Sequence, residues 1–387
     1  MAVIRNQEGR PSEPFIVFRK SEATGFPYAA VAAIVFILSG VHSSPVFAAE
    51  DGSDSYSTPG VASQAETNTS AFLESFQIQP PGHVKPLRFG GLLTFAGAAG
   101  RKDATGTEAG FDVTDARLLI AGELEKGFGY LAQAEFTKST PLLDLILNWK
   151  STEHGFRASA GYFRTPFSAE LLIPAPELDF LNRSQIVTAL APARQIGIQL
   201  DQRILGKALV VHVGVFNGNG LDGNDDDRFL YMLRLDGITD CGENWELQYG
   251  INAAHSDDED ASIGISDYSP LNGKRWIAGG DVRATRGPLF FSAEALWGFF
   301  DDESFRNDHV WGYQASAGWQ VTSLVQLLAR YDAFHAGDSD RAQDRDLAIA
   351  SVNLDFTKII SLQFELHVPT RGVGPSPGGV VNLNATF

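Results

Sequence analysis

The residues best suited to chemistry in this 387-residue chain are charged rather than nucleophilic. Every ionisable carboxylate and guanidinium between positions 157 and 203 falls in one series: Arg157, Arg164, Glu170, Glu177, Asp179, Arg183, Arg194, Asp201 and Arg203. Such groups select and orient charged solutes by electrostatics and hydrogen bonds. They make no covalent chemistry without a nucleophile or an electrophile beside them. The usual covalent machinery is missing: the eight histidines include no HExxH, and the sequence contains no phosphate-cradling P-loop. The single Cys241 leaves neither an internal disulfide nor a thiolate cluster for zinc or iron. A formal net charge of −17 argues against a nucleic-acid partner. The reading is therefore a protein that is not an enzyme, needs no cofactor and no metal, and works by charge and shape.

The elements that must position this series are strands. With 44% hydrophobic residues, the chain has no run of the ~20 apolar residues that a membrane-spanning helix requires. From Leu87 to Phe387 the dominant period is two, in blocks of about ten residues. Strands are predicted near 87–98, 112–124, 127–138, 141–150, 155–165, 194–204, 207–217, 228–237, 244–255, 275–285, 288–300, 310–321, 324–335, 346–357, 359–368 and 379–387. In 359–368, Ile360, Leu362, Phe364 and Leu366 share one face, while Ser361, Gln363, Glu365 and His367 share the other. Alternation alone also fits a soluble sandwich. Three further features select a barrel. Tight links such as 125–127, 205–207 and 285–287 alternate with long ones at 218–227, 256–274 and 301–309. All six tryptophans fall on the apolar parity, towards strand ends, as interfacial belts require. Val381, Leu383, Ala385 and Phe387 share a face of the last strand, a pattern resembling the signal read by the barrel-assembly machinery.

These features predict an all-β fold: a sixteen-stranded antiparallel transmembrane β-barrel in outer-membrane lipid. Lipid offers no hydrogen-bond partners, so the sheet must close. Sixteen strands leave a lumen that side chains cannot fill. The segment 166–193, the third external loop by strand count, is too apolar for a free surface loop. It is expected to fold inward as a constriction; a lid or a trimer contact is the other reading of it.

The segments "GYFRTPFSAELL" (161–172), "ELDFLNRS" (177–184) and "APARQIGIQL" (191–200), with "LARYD" (328–332) and "ASVNLDF" (350–356), resemble the phosphate-selective porin O and P family. The resemblance covers roughly 87–387. It implies a sixteen-stranded barrel, a homotrimer, and passive uptake of anions or other small solutes. This sequence departs from the family's arginine ladder. Inward-parity arginines (Arg88, Arg117, Arg234, Arg275, Arg283, Arg330) interleave with inward-parity acids (Asp115, Asp144, Asp281, Glu294, Asp332, Glu365). Arg164 falls on the outward parity. The segments 221–227, 256–260, 301–308 and 337–344 are read as acidic external loops, which repel anions at the mouth.

Upstream, Arg5, Arg10, Arg19 and Lys20 precede an apolar core, Tyr28 to Leu38, and small residues at Val46 and Ala48. Residues 1–48 are read as a signal peptide and 49–86 as a polar flexible lead-in to the barrel at 87–387. The functional expectation is an outer-membrane porin for small hydrophilic solutes or ions, phosphate and other anions among them. The alternative is a structural or adhesive barrel whose acidic loops bind cations or surface partners.

Overall fold

A computed structural model describes residues 76–78, 87–99, 109–151, 154–205, 208–224, 226–242, 244–261, 263–265, 270–302, 308–336, 344–372 and 377–387. The expected signal peptide lies outside them, as do most of the 49–86 segment and most of the acidic stretches at 301–308 and 337–344.

Sixteen long strands follow one another in antiparallel meander. They are β2 (Leu87–Ala99), β3 (Ala109–Glu123), β4 (Phe128–Glu135), β5 (Leu142–Ser151), β6 (Phe156–Arg164), β7 (Arg194–Ile204), β8 (Leu209–Phe216) and β9 (Leu230–Asp240), then β10 (Glu246–Ala261), β11 (Leu271–Arg286), β12 (Leu289–Asp302), β13 (Asp308–Gln320), β14 (Val325–Ala336), β15 (Arg345–Asp355), β16 (Ile360–Arg371) and β17 (Gly378–Thr386). Each pairs with the next, and β17 pairs back onto β2 from Gly379↔Ala99 to Thr386↔Leu92. The sheet is thus a closed cylinder without a free edge, the only sheet form that lipid tolerates. A three-residue strand inside the expected lead-in, β1 (Phe76–Ile78), pairs with β2 at Phe76↔Phe89, just past the reach of β17.

The alternation assigns the faces. On β12, Leu289, Phe291, Ala293, Ala295 and Trp297 are exposed, while Phe290, Glu294, Leu296 and Phe300 are buried. Leu, Phe and Ala on the outer face meet the apolar phase, and polar side chains turn inward. Trp276, Trp297, Trp311 and Trp319 are all exposed on the outside. Trp297 pairs directly with Trp311 near the long-loop end, and Trp319 lies at the tight-turn end, so two interfacial levels are marked.

Several strand ends shift by up to four residues from expectation, and the largest difference is at the end of β10. Residues 256–260 are not an external loop: β10 runs to Ala261, and Asp257 and Asp258 pair with Lys274 and Gly273 of β11. The cause is charge pairing. Arg275 reaches Asp258 at 3.3 Å, and Arg228 reaches Asp257 at 3.1 Å and Glu259 at 3.5 Å. Neutralised acids can be carried by a strand that free ones would leave solvated.

The barrel's hydrophobic core is internal and one-sided. Inward residues of the half nearest the long loops, including Phe216, Leu296, Phe300, Val310 and Phe334, are almost fully buried. They pack on Ile186, Val187 and Leu190 of the segment between β6 and β7.

Candidate functional site

The chain leaves β6 after Arg164 and turns into the barrel. Thr165 Oγ1 and its backbone N–H both donate to the Ala193 carbonyl, at 3.1 and 3.0 Å, which staples the two ends of the loop together. The inward turn needs left-handed backbone at Ser168 (φ 64°) and Ala193 (φ 39°), a conformation costing about 1–2 kcal/mol for a residue with a Cβ. Ser168 is held there by Asn252 of β10, whose Oδ1 accepts its N–H at 2.6 Å. Its own hydroxyl accepts from Leu171 N–H and caps a short helix, α1 (Ala169–Leu172). A 3₁₀ turn (Ala175–Glu177) and a second helix, α2 (Gln185–Leu190), follow.

Helix α2 lies against the inner wall where glycines make room. A Cβ on Gly298 would stand 2.8 Å from Leu190, and one on Gly312 would meet the Ala333 carbonyl of the next strand and stand 3.0 Å from Ile186. The stretch from α1 to the start of α2 is tied to the far wall by polar contacts. The Arg330 guanidinium of β14 holds the Glu170 carboxylate and donates to the Asn182 carbonyl at 2.9 Å. Arg283 of β11 meets Asp179 at 2.6 Å. Leu181 N–H donates to Glu365 at 2.7 Å, and Gln185 N–H donates to Asp332 at 2.9 Å. Phe180 is buried beneath Arg330, whose guanidinium carbon is 4.0 Å from the ring centroid. The loop is thus spanned from β6 to β16 by side chains that parity had placed inward.

Two of the arginines in the original series serve the loop itself. Arg183 donates to the carbonyls of Glu170, Leu171 and Ile173 at 3.0, 3.2 and 2.5 Å. Burial pushes its pKa down to about 10; Glu170 opposes the shift, while Arg194 and Arg117 add to it. It therefore stays cationic at neutral pH, and three further arginines share its neighbourhood. Arg164, despite its outward parity, donates to Ile173 carbonyl at 2.9 Å, because the strand ends there and its side chain follows the loop inward. Arg194 is bidentate on Asp144 at 3.0 and 3.1 Å, and Arg117 is paired with Glu135 at 2.7 Å. The basic groups on this wall are engaged with carboxylates and carbonyls.

Arg157, Asp201 and Arg203 lie elsewhere, near the tight-turn ends of β6 and β7. The structure does not place them on the loop. Arg157 pairs with Asp201 at 2.6 Å. Asp201 is 2.7 Å from His212, whose other ring nitrogen is 2.7 Å from Asp236. Asp236 neighbours Arg234, which is bidentate on Asp281. A polar belt thus runs along the wall from β6 to β11 and ends at a cavity of about 210 Å³ beneath the loop. Arg234, Asp281, Arg283, Glu294, Arg330 and Asp332 belong with the loop residues; their inward parity was the signal, and which of them would meet the loop was not encoded in it.

A closed sixteen-strand barrel with an apolar outer face and a loop drawn across its lumen defines the class: this is an outer-membrane porin, a channel for small solutes. The family model described as phosphate-selective porin O and P matches residues 92–264, which shows the resemblance over the first half of the barrel, the constricting loop included. The "LARYD" and "ASVNLDF" segments fall outside the match. Among solved structures, the chain is similar to an anion-selective porin from Comamonas acidovorans (TM-score 0.56, 13% identity, covering 78% of this chain and 99% of that one). It is also similar to the outer membrane channel DcaP of Acinetobacter baumannii (TM-score 0.56, 12% identity, 78% and 97%). The trimer form of OmpT from Vibrio cholerae is comparable (TM-score 0.55, 11% identity, 79% and 100%). No curated protein matches by sequence.

Proposed function

We propose that the loop from Pro166 to Ala193 is the selectivity filter of this porin, and that solutes pass between it and the wall formed by the remaining strands. The observation that carries this reading is the attachment of one loop to many strands: Asn252, Arg283, Arg330, Asp332 and Glu365 of β10, β11, β14 and β16 all bind it. A segment held at so many points has a fixed shape, as a filter needs.

Selectivity follows from what remains unpaired. Arg117, Arg164, Arg183 and Arg194 are engaged with carboxylates or carbonyls. An arginine ladder free to take phosphate is not present among them. Glu177 and Glu294 form no ion pair among the described residues, although Arg234 lies close enough to feel the charge of Glu294. The filter therefore favours cations or zwitterions over phosphate, which departs from the solute class in the family's description. Export by cleavage after Ala48, assembly into a homotrimer and handling by the barrel-assembly machinery belong to the same reading, supported by the porin class and by a structural relative solved as a trimer.

Planar-bilayer recording tests it. Stepwise conductance is expected from the purified protein, and the reversal potential in a KCl gradient should carry the sign of a cation-preferring pore. A silent barrel would sink the channel reading.

A further inference from the structure

The cavity beneath the loop has more acid than base. Five carboxylates line it: Glu170, Glu177, Asp179, Asp281 and Glu294. Three are matched by guanidinium groups, Glu170 by Arg330, Asp179 by Arg283 and Asp281 by Arg234. Glu177 and Glu294 form no ion pair among the described residues. Glu294 is only 2% exposed. Its Oε2 accepts the Glu170 N–H at 3.3 Å and the Ser168 side chain also hydrogen-bonds the carboxyl group, but its Oε1 is buried without a hydrogen-bond partner. Folded proteins leave few buried polar atoms unmet, because an unmet one forfeits its hydration without replacement. Here the unmet atom belongs to a carboxylate on the wall of a cavity.

The complement of such an atom is a cationic group bearing N–H donors. Metal chelation does not fit: among the described residues no three His, Cys, Asp or Glu side chains converge closely enough to hold an ion. Gln248, Ser292 and Gln314 line the same space and supply further polar contacts.

We propose that this cavity is a binding subsite for the ammonium or guanidinium end of a small organic cation, with Glu294 as hydrogen-bond acceptor and Glu177 as the second negative charge. The route by which the solute arrives rests on the channel reading; the subsite does not.

Propylammonium is the probe, with propionate and 1-propanol as its anionic and uncharged counterparts. Binding is measured by calorimetry on the full-length protein in detergent, and block of the potassium current in bilayers. Wild type is expected to bind propylammonium and not the other two. Glu294→Gln should weaken binding by about tenfold and Glu177→Gln by about threefold, while Glu125→Gln, in a tight turn between β3 and β4, should leave it unchanged. Equal binding of propionate or 1-propanol, or unaltered affinity in Glu294→Gln, overturns the subsite. If Glu294→Gln fails to form a heat-modifiable barrel, Glu177→Gln on the loop decides, and undiminished binding there overturns it too. A wild type that binds propylammonium but carries no current refutes the channel and keeps the subsite. Current without binding does the reverse.

Discussion

Asp179 on the inward loop and Arg283 on β11 meet carboxylate to guanidinium at 2.6 Å, 104 residues apart in the chain. Arg283 also lies over the Phe290 ring at 3.8 Å, so its geometry is fixed from two sides. The pair pins the loop to the wall. Asp179→Asn should loosen this point by about 1–2 kcal/mol, read as a noisier open level with larger mean conductance in single-channel records. Arg283→Gln should give the same phenotype, and the double variant should add little to either.

The apolar end of the loop makes its own prediction. Ile186 is fully buried against Gly312, and Leu190 against Gly298. Ile186→Ala removes packing worth about 2–4 kcal/mol at such a site. The expected outcome is a channel that flickers between conductance levels while the barrel still runs as a heat-modifiable band. Gly298→Val should do the same by pushing the helix away, since the first atom a side chain there would meet belongs to Leu190.

Glu177 gives the pore a pH dependence. Its surface opens on the lumen, yet it lies within the barrel, and the loss of surrounding bulk water raises its pKa to about 7. Below that pH it is neutral, and above it negative. Cation preference, read from reversal potentials between pH 5.5 and 8.5, should therefore rise as pH rises through about 7. Glu177→Gln should flatten the profile.

The lipid face is testable independently of the loop. Ala295, exposed on the outside of β12 between Gly280 and Tyr313, stands midway along its strand. Ala295→Arg should cost about 2–4 kcal/mol, measured by urea unfolding in lipid vesicles. An arginine at inward Ser361 should cost much less.

Export has a direct readout. Mass spectrometry of protein recovered from outer membranes is expected to find Ala49 at the amino terminus. An intact Arg5 would refute the cleavage.

The period-two rhythm carried the barrel because each strand meets two media. Where both media are apolar the rhythm fails. "WGFF" at 297–300 puts Phe299 outside and Phe300 inside, since the inner side there faces helix α2 rather than water. The loop's apolar residues announced that they must pack on something; the receiving surface, Phe300, Val310 and Phe334, was hidden among lipid-facing neighbours. Parity also located Arg283 and Arg330, but partner choice depends on where a 28-residue excursion lands, which local pattern does not encode. Arg164 shows the opposite limit. Parity is a property of strands and lapses at the last residue of one, so the side chain follows the turn. The 256–260 acids were misread as loop because their neutralising arginines, Arg228 and Arg275, lie distant in sequence.

The junction of β2 with β17 joins residues 92–99 to 379–386, and Phe387 exchanges both backbone hydrogen bonds with Gly91, at 2.7 and 3.1 Å. Its ring occupies the space where any side chain on Gly91 would stand. This seam is the longest-range strand pairing among the described residues, so it is the pairing most expensive in chain entropy and the last that local zippering can supply. Until the final strand arrives, the nascent sheet presents two raw borders, each able to recruit a stranger. The β2–β17 pairing, sealed at Gly91 and Phe387, removes both borders in a single step.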